Sequence, residues 1–196
     1  MDINRKDILL YINDVGGLAL SNQVIHWSML IVPLLTLFFM KKEEINRYVP
    51  VAVFATVLTM IILDIGITLG FWVVRESVFP FNEIFPYYLG TMPVLAMWVF
   101  KFTNGRFWAY MTTNLILDIG FNFFLLDYFL PIRGMFSFVG ISPLQGLTIT
   151  LAHAVLIYGY QMWHERVFSL RVKQTNTPVK LQAAAKPLPE EESDKE

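Results

Sequence analysis

The chain has 196 residues, of which 55% are hydrophobic, 15% aromatic and only 16% charged. A soluble surface normally carries about 25% charged residues, so the composition points to a membrane protein. A net charge of −1 without a basic face excludes nucleic acid as a partner, and the absence of cysteine excludes disulfides, thiolate metal sites and cysteine nucleophiles.

The first fifteen residues read MDINRKDILLYINDV. Ile8, Ile12 and Val15 recur at helical spacing opposite Asn and Asp, which predicts an amphipathic segment over residues 1–23 on the outer surface. Five apolar runs follow: Val24–Met40, Val49–Val74, Ile84–Phe102, Phe107–Leu130 and Phe138–Trp163. A spanning helix needs roughly 17–25 such residues to cross the hydrocarbon layer. The first run is not a cleaved leader, because KKEE follows it where small residues are required. The runs are separated by KKEEINRY, RESVFPFNE, KFTNGR and PIRGMFS, all of them rich in charge, Pro, Gly or Asn. The aromatic–proline stretch FPFNEIFPYY, residues 79–88, reads as an interfacial anchor, with a ligand-binding loop as the alternative. Residues 166–196 are expected to form a disordered cytosolic tail, since the stretch from Lys173 has no period that buries a face.

Lys and Arg set the orientation. With the N-terminus outside, eleven basic residues fall on the cytoplasmic side and four, Arg5, Lys6, Arg75 and Arg133, on the outer side. The expected fold is therefore all-α: a bundle of five transmembrane helices, N-terminus outside and C-terminus cytoplasmic. The five tryptophans all lie near predicted helix ends, where an indole favours the headgroup level.

Two of the apolar runs contain the same tetrapeptide, Leu-Asp-Ile-Gly, at 63–66 and at 117–120. Aligning Asp64 with Asp118 also pairs Thr59 with Thr113 and Thr68 with Asn122. GTMP at 90–93 similarly answers GISP at 140–143, which suggests a parallel repeat or chance convergence. An Asp at the centre of a spanning helix costs at least ~2.5 kcal/mol on insertion scales, so such residues usually face the bundle or a cavity. Asn114, Asp118 and Asn122 recur every fourth residue, as do Thr56, Met60, Asp64 and Thr68. His153 falls near the same depth on the fifth run, beside Gln145, Thr148 and Thr150.

Asp64, Asp118, His153, Asn114, Asn122 and Thr68 are thus the candidate proton or cation site. The alternative is interhelical hydrogen-bonding, worth about 0.6 kcal/mol per contact. Gly66, Gly70, Gly146 and Ala154 are the candidate packing positions, with packing inside the monomer preferred to a homo-oligomer. Enzyme motifs such as HExxH, the P-loop, G-x-S-x-G and the dinucleotide fingerprint are absent, so neither catalysis nor a cofactor is expected.

NRYVP at 46–50, the long second run, the aromatic–proline loop, MPVLAM at 92–97 and KFTNGR together resemble an uncharacterised family of small five-helix membrane proteins from spore-forming Gram-positive bacteria. The likeness covers roughly residues 25–165. It implies a plasma-membrane location and carries over no active residues. The acidic tail and the doubled Asp motif depart from it. The leading functional expectation is a proton- or cation-responsive small permease in the cell membrane. The alternative is a membrane scaffold that recruits partners through helix faces or, for a soluble partner, the tail.

Overall fold

The computed structural model describes the backbone of residues 5–76 and 86–176, with side chains from 20 to 76 and from 87 to 167. The start of the N-terminal segment, residues 77–85 with most of the aromatic–proline loop, and the tail beyond Asn176 lie outside these residues. The chain divides after Trp163 into two units, each described by itself.

Helix α1 runs unbroken from Arg5 to Thr36 and closes in a 3-10 turn, Leu37–Phe39. No boundary separates an amphipathic segment from the first span, so the expected break at residue 23 is not there. Helix α2, Lys42–Thr68, begins where the Lys41 amide donates to Glu44 Oε2 at 3.1 Å. Glu44 also accepts from Lys101 Nζ at 2.8 Å, tying the start of α2 to the KFTNGR turn region.

Helix α2 stops six residues before the predicted end of its run. Gly70 has φ +71, its amide donates to Ile67 O at 3.0 Å, and the Phe71 amide donates to Gly66 O at 2.8 Å. This pair of bonds is a Schellman closure, which needs a left-handed residue that only glycine adopts without strain. The chain then leaves as strand β1, Trp72–Val74.

The third predicted run is two helices, α3 Pro86–Leu89 and α4 Thr91–Thr103, parted at Gly90. A Cβ at Gly90 would lie 2.5 Å from the Leu30 backbone, so glycine permits α1 to approach at this point. The neighbouring Thr91 hydroxyl donates to Met29 O at 2.7 Å. The KFTNGR turn is left-handed at Asn104 (φ 48) and Gly105 (φ +68), as its Asn-Gly pair requires.

Helix α5, Phe107–Ile119, passes into a ten-residue π-helix, Gly120–Phe129, and ends in the short helix α6, Leu130–Ile132. A second Schellman closure follows. Gly134 has φ +70, the Gly134 amide donates to Pro131 O at 2.9 Å and the Met135 amide to Leu130 O at 3.0 Å. Strand β2, Phe136–Phe138, then pairs antiparallel with β1, Trp72 opposite Phe138 and Val73 opposite Ser137. The chain is mostly helical, as expected, and carries this small sheet in addition.

Helix α7 spans Pro143–Asn176. Its start is a capping box, in which the Ser142 amide donates to Gln145 Oε1 at 2.8 Å with Pro143 at the first helical position. The tail predicted from residue 166 is helical up to Asn176, as a continuation of α7.

Among the described residues, three helices are long and apolar enough to cross a membrane: Leu20–Phe39, Lys42–Thr68 and Phe107–Ile132. Large apolar side chains are exposed along them, with Val53, Val57, Ile61 and Ile65 forming one outward stripe on α2. Inward, two apolar cores form. One gathers Tyr48, Val51, Phe100, Tyr110 and Ile157; the other gathers Leu63, Trp72, Tyr87, Leu130 and Phe136.

Candidate functional site

The polar residues sit where the two cores meet. On α2, Thr59 lies between Ala55 of one core and Leu63 of the other, and on α7 His153 lies between Ile149 and Ala154. The Thr59 hydroxyl donates to Ala55 O at 2.6 Å, so it accepts from His153 Nε2–H at 3.0 Å. The network thereby assigns the tautomer: in the neutral ring Nδ1 carries the lone pair.

The π-helix contributes Asn122, whose side chain is wholly buried. Its Nδ2 donates to Asp118 O at 2.9 Å and to Thr150 Oγ1 at 3.1 Å. Both hydrogens point at acceptors, so the amide orientation is fixed. Oδ1 has no hydrogen-bond partner and faces Gly146, where a Cβ would lie 2.7 Å from it. Asp118 is half-buried beside Thr150, and its Oδ2 is likewise buried without a hydrogen-bond partner. π-Helix is rare, and the single-turn bulges in which it mostly occurs are frequent at functional sites.

Between these groups is a cavity of about 80 Å³. Thr59, Asn122, Thr150 and His153 form its polar wall. Trp72, Tyr87, Tyr88, Phe121, Phe136 and Phe138 supply aromatic surface, so the β1–β2 sheet forms part of the enclosure. Tyr87 and Phe121 stack with centroids 5.0 Å apart. The Trp72 indole donates to Leu63 O at 3.3 Å, and the Tyr87 hydroxyl donates to Met92 Sδ at 3.6 Å.

The structure brings together part of the sequence-derived site. Asn122 and His153 line the cavity, and Asp118 lies one turn from Asn122. Asn114 is half-buried, donating to Tyr110 O at 2.9 Å within its own helix. Asp64 and Thr68 are exposed and line no part of the cavity, so the expected pair of inward carboxylates does not form. The inward stripe of α2 is Ala52, Ala55, Thr59, Leu63 and Gly66, one helical position away from Asp64.

The packing residues divide in the same way. Gly146 makes room for Asn122, and Ala154 is buried with its carbonyl accepting from the Tyr110 hydroxyl at 3.2 Å. Gly66 accommodates the Trp72 indole instead of a second helix, since a Cβ there would lie 1.9 Å from the ring, and Gly70 ends α2. Gln145 caps α7 and is exposed, as is Thr148. Thr59, Trp72 and Thr150 were not among the sequence-derived candidates. Ala52, Ala55 and Gly66 on the face of Thr59 were the available signal, because small residues mark close-packed helix faces.

A second polar cluster joins α1 to the end of α6. Arg133 donates to Ser21 Oγ at 3.0 Å and Asn22 Oδ1 at 3.3 Å, while Asn22 Nδ2 donates to Arg133 O at 3.2 Å and to Glu76. Its groups satisfy one another and form a structural tie.

No family model, curated protein or solved structure matches this chain. The site therefore rests on its own geometry. Among the described residues no group of His, Asp and Glu could hold a metal ion.

Proposed function

We propose that this chain is a five-span membrane protein of the cell membrane that admits a small molecule to the cavity between α2, the π-helix and α7, as a permease-like binding protein without enzymatic activity. Three crossings correspond to the long apolar helices. The α3–α4 pair and α7 supply the other two, α4 being the most enclosed because α2 packs along it. The basic-residue asymmetry orients the N-terminus outside, which puts the β1–β2 sheet at the outer end of the cavity.

The observation that carries this reading is Asn122: a wholly buried amide whose Oδ1 is left without a partner on a cavity wall. A buried polar atom without a hydrogen bond typically costs about 1–3 kcal/mol, so a ligand that supplies the bond is favoured.

Because the chain has no cysteine, single-cysteine accessibility tests the reading cleanly. Ile149→Cys, on the cavity wall, should react with silver ion, a thiol reagent small enough for the cavity, added outside intact cells. Ile61→Cys, on the outward apolar stripe, should not. An unreactive Ile149→Cys in folded protein would overturn the reading. The second reading, a scaffold, is favoured by Asp64 and Thr68, two polar residues on an outward face of α2 that is otherwise apolar from Val49 onward. It expects Asp64→Leu to abolish partner recruitment while leaving the cavity intact.

A further inference from the structure

We infer that the cavity is a site for a small primary ammonium ion, a short alkylamine in its protonated form; the inference rests on the permease-like reading and names the ligand class for the same site. The hydrogen-bonding character of the wall is one-sided. The donors of Thr59, Thr150, Trp72, Tyr87, Asn122 and His153 are all engaged by protein acceptors: Ala55 O, Leu147 O, Leu63 O, Met92 Sδ, the Asp118 O and Thr150 Oγ1 pair, and Thr59 Oγ1 respectively.

What remains open are acceptors. On the wall Asn122 Oδ1 is buried without a partner, and behind it, one turn away and outside the lining, Asp118 Oδ2 is buried without one as well. A ligand that only accepts hydrogen bonds, such as a ketone or a quinone, finds these six donors already engaged. A carboxylate or phosphate would meet the Asn122 lone pairs and, one turn behind them, the like charge of the Asp118 carboxylate.

A primary ammonium carries three N–H donors and a positive charge, and it answers both features. Asp118 supplies the counter-charge one helical turn from Asn122, and no Lys or Arg lines the cavity to compete for it. The remaining wall suits the rest of such a molecule. Trp72, Tyr87, Tyr88 and Phe121 offer aromatic faces, which attract cations through the ring quadrupole and also bury alkyl carbons. The volume limits size. A dry 150 Å³ cavity holds benzene, so about 80 Å³ corresponds to a molecule of roughly three to five heavy atoms.

Calorimetry on the full-length protein in nanodiscs tests the assignment with n-propylammonium as probe, beside 1-propanol, tetramethylammonium and propionate. The expected result is saturable binding of propylammonium, at least tenfold tighter than that of the other three. Asp118→Asn should weaken it at least tenfold, whereas Asp64→Asn should leave it unchanged. Ile149→Phe, which fills the cavity, should abolish it, with thermal unfolding confirming that each variant is folded. Equal binding of 1-propanol overturns the ammonium assignment but leaves the cavity reading standing. Propylammonium binding that survives Ile149→Phe overturns the location. Absence of propylammonium binding overturns the assignment, and the cavity reading falls with it only if Ile149→Cys is also unreactive from outside.

Discussion

In α2 the tetrapeptide Leu63–Gly66 buries its leucine and its glycine and leaves Asp64 and Ile65 exposed. Where α5 passes into the π-helix the same four residues, Leu117–Gly120, expose leucine, isoleucine and glycine and turn Asp118 half inward. The tetrapeptide does not choose its own face; the flanking turns do. In α2 the small residues Ala52 and Ala55 continue through Thr59 to Leu63, and bulky Val53, Val57, Ile61 and Ile65 occupy the outside. In α5 the inward row runs Tyr110, Asn114, Asp118, Asn122, and its large aromatic anchor, wholly enclosed near Phe100, sets the rotation. A shift of one residue turns a helix by about 100°, enough to move a carboxylate from a cavity wall to the outer surface.

The two regions share more than the tetrapeptide. Each helix ends in a Schellman closure, at Gly70 and Gly134, and each closure feeds a three-residue strand. The strands pair about Val73 and Ser137, each three residues after its glycine, so equivalent positions face one another. From Asp to closing glycine the second copy is longer by ten residues, the length of the π-helix. The added segment is the one that carries Asn122 into the cavity.

The largest expected effect comes from the point where the first copy meets the cavity. Trp72 fills the surface over Gly66 and bonds Leu63 O, so Trp72→Ala should lower stability by about 3–5 kcal/mol, as loss of a buried Trp generally does. Denaturant titration in mixed micelles measures this. A loss below about 1 kcal/mol would show that the sheet does not close the cavity.

Next is the carboxylate pair. If α2 spans the membrane with Asp64 outward, Asp64→Leu should improve insertion by about 1 kcal/mol, less than the ~2.5–3.5 that Asp costs at a helix centre, because Asp64 lies one turn from the end of α2. Asp118→Leu should instead remove propylammonium binding. An insertion assay on α2 together with calorimetry on the whole protein separates the two. Poorer folding of Asp64→Leu would mean that the outward carboxylate has a partner helix, and the contrast between the copies would fail.

Much of this architecture was legible in the sequence. The apolar runs, the Asn-Gly turn and the residues of the inward row on α5 follow from composition and a fourfold spacing. The inward face of α2 was not found, because Thr56, Met60, Asp64 and Thr68 have the same spacing as the true row beside them, and spacing alone does not rank two adjacent rows. The strands were hidden because Trp72–Val74 and Phe136–Phe138 are as apolar as the helices they follow, so only Gly70 and Gly134 marked the ends. The π-helix has no sequence signature that periodicity detects.

The LDIG glycines give the remaining contrast. A Cβ at Gly66 would lie 1.9 Å from the Trp72 ring, so Gly66→Ala forces the indole out of place, and overpacking of this kind costs about 1–3 kcal/mol. At Gly120 nothing lies within 4 Å of the same added carbon, and the backbone there is ordinary right-handed helix at φ −58, ψ −42. Alanine adopts that conformation without strain and narrows the unfolded ensemble, so Gly120→Ala should raise stability by about 0.4–1 kcal/mol. Denaturant titration of the two alanine variants side by side should therefore move the midpoint in opposite directions. A loss of stability for Gly120→Ala would mean that the entry to the π-helix needs glycine's freedom, and the second tetrapeptide would then be a hinge for Asn122 and not a surface turn of the helix.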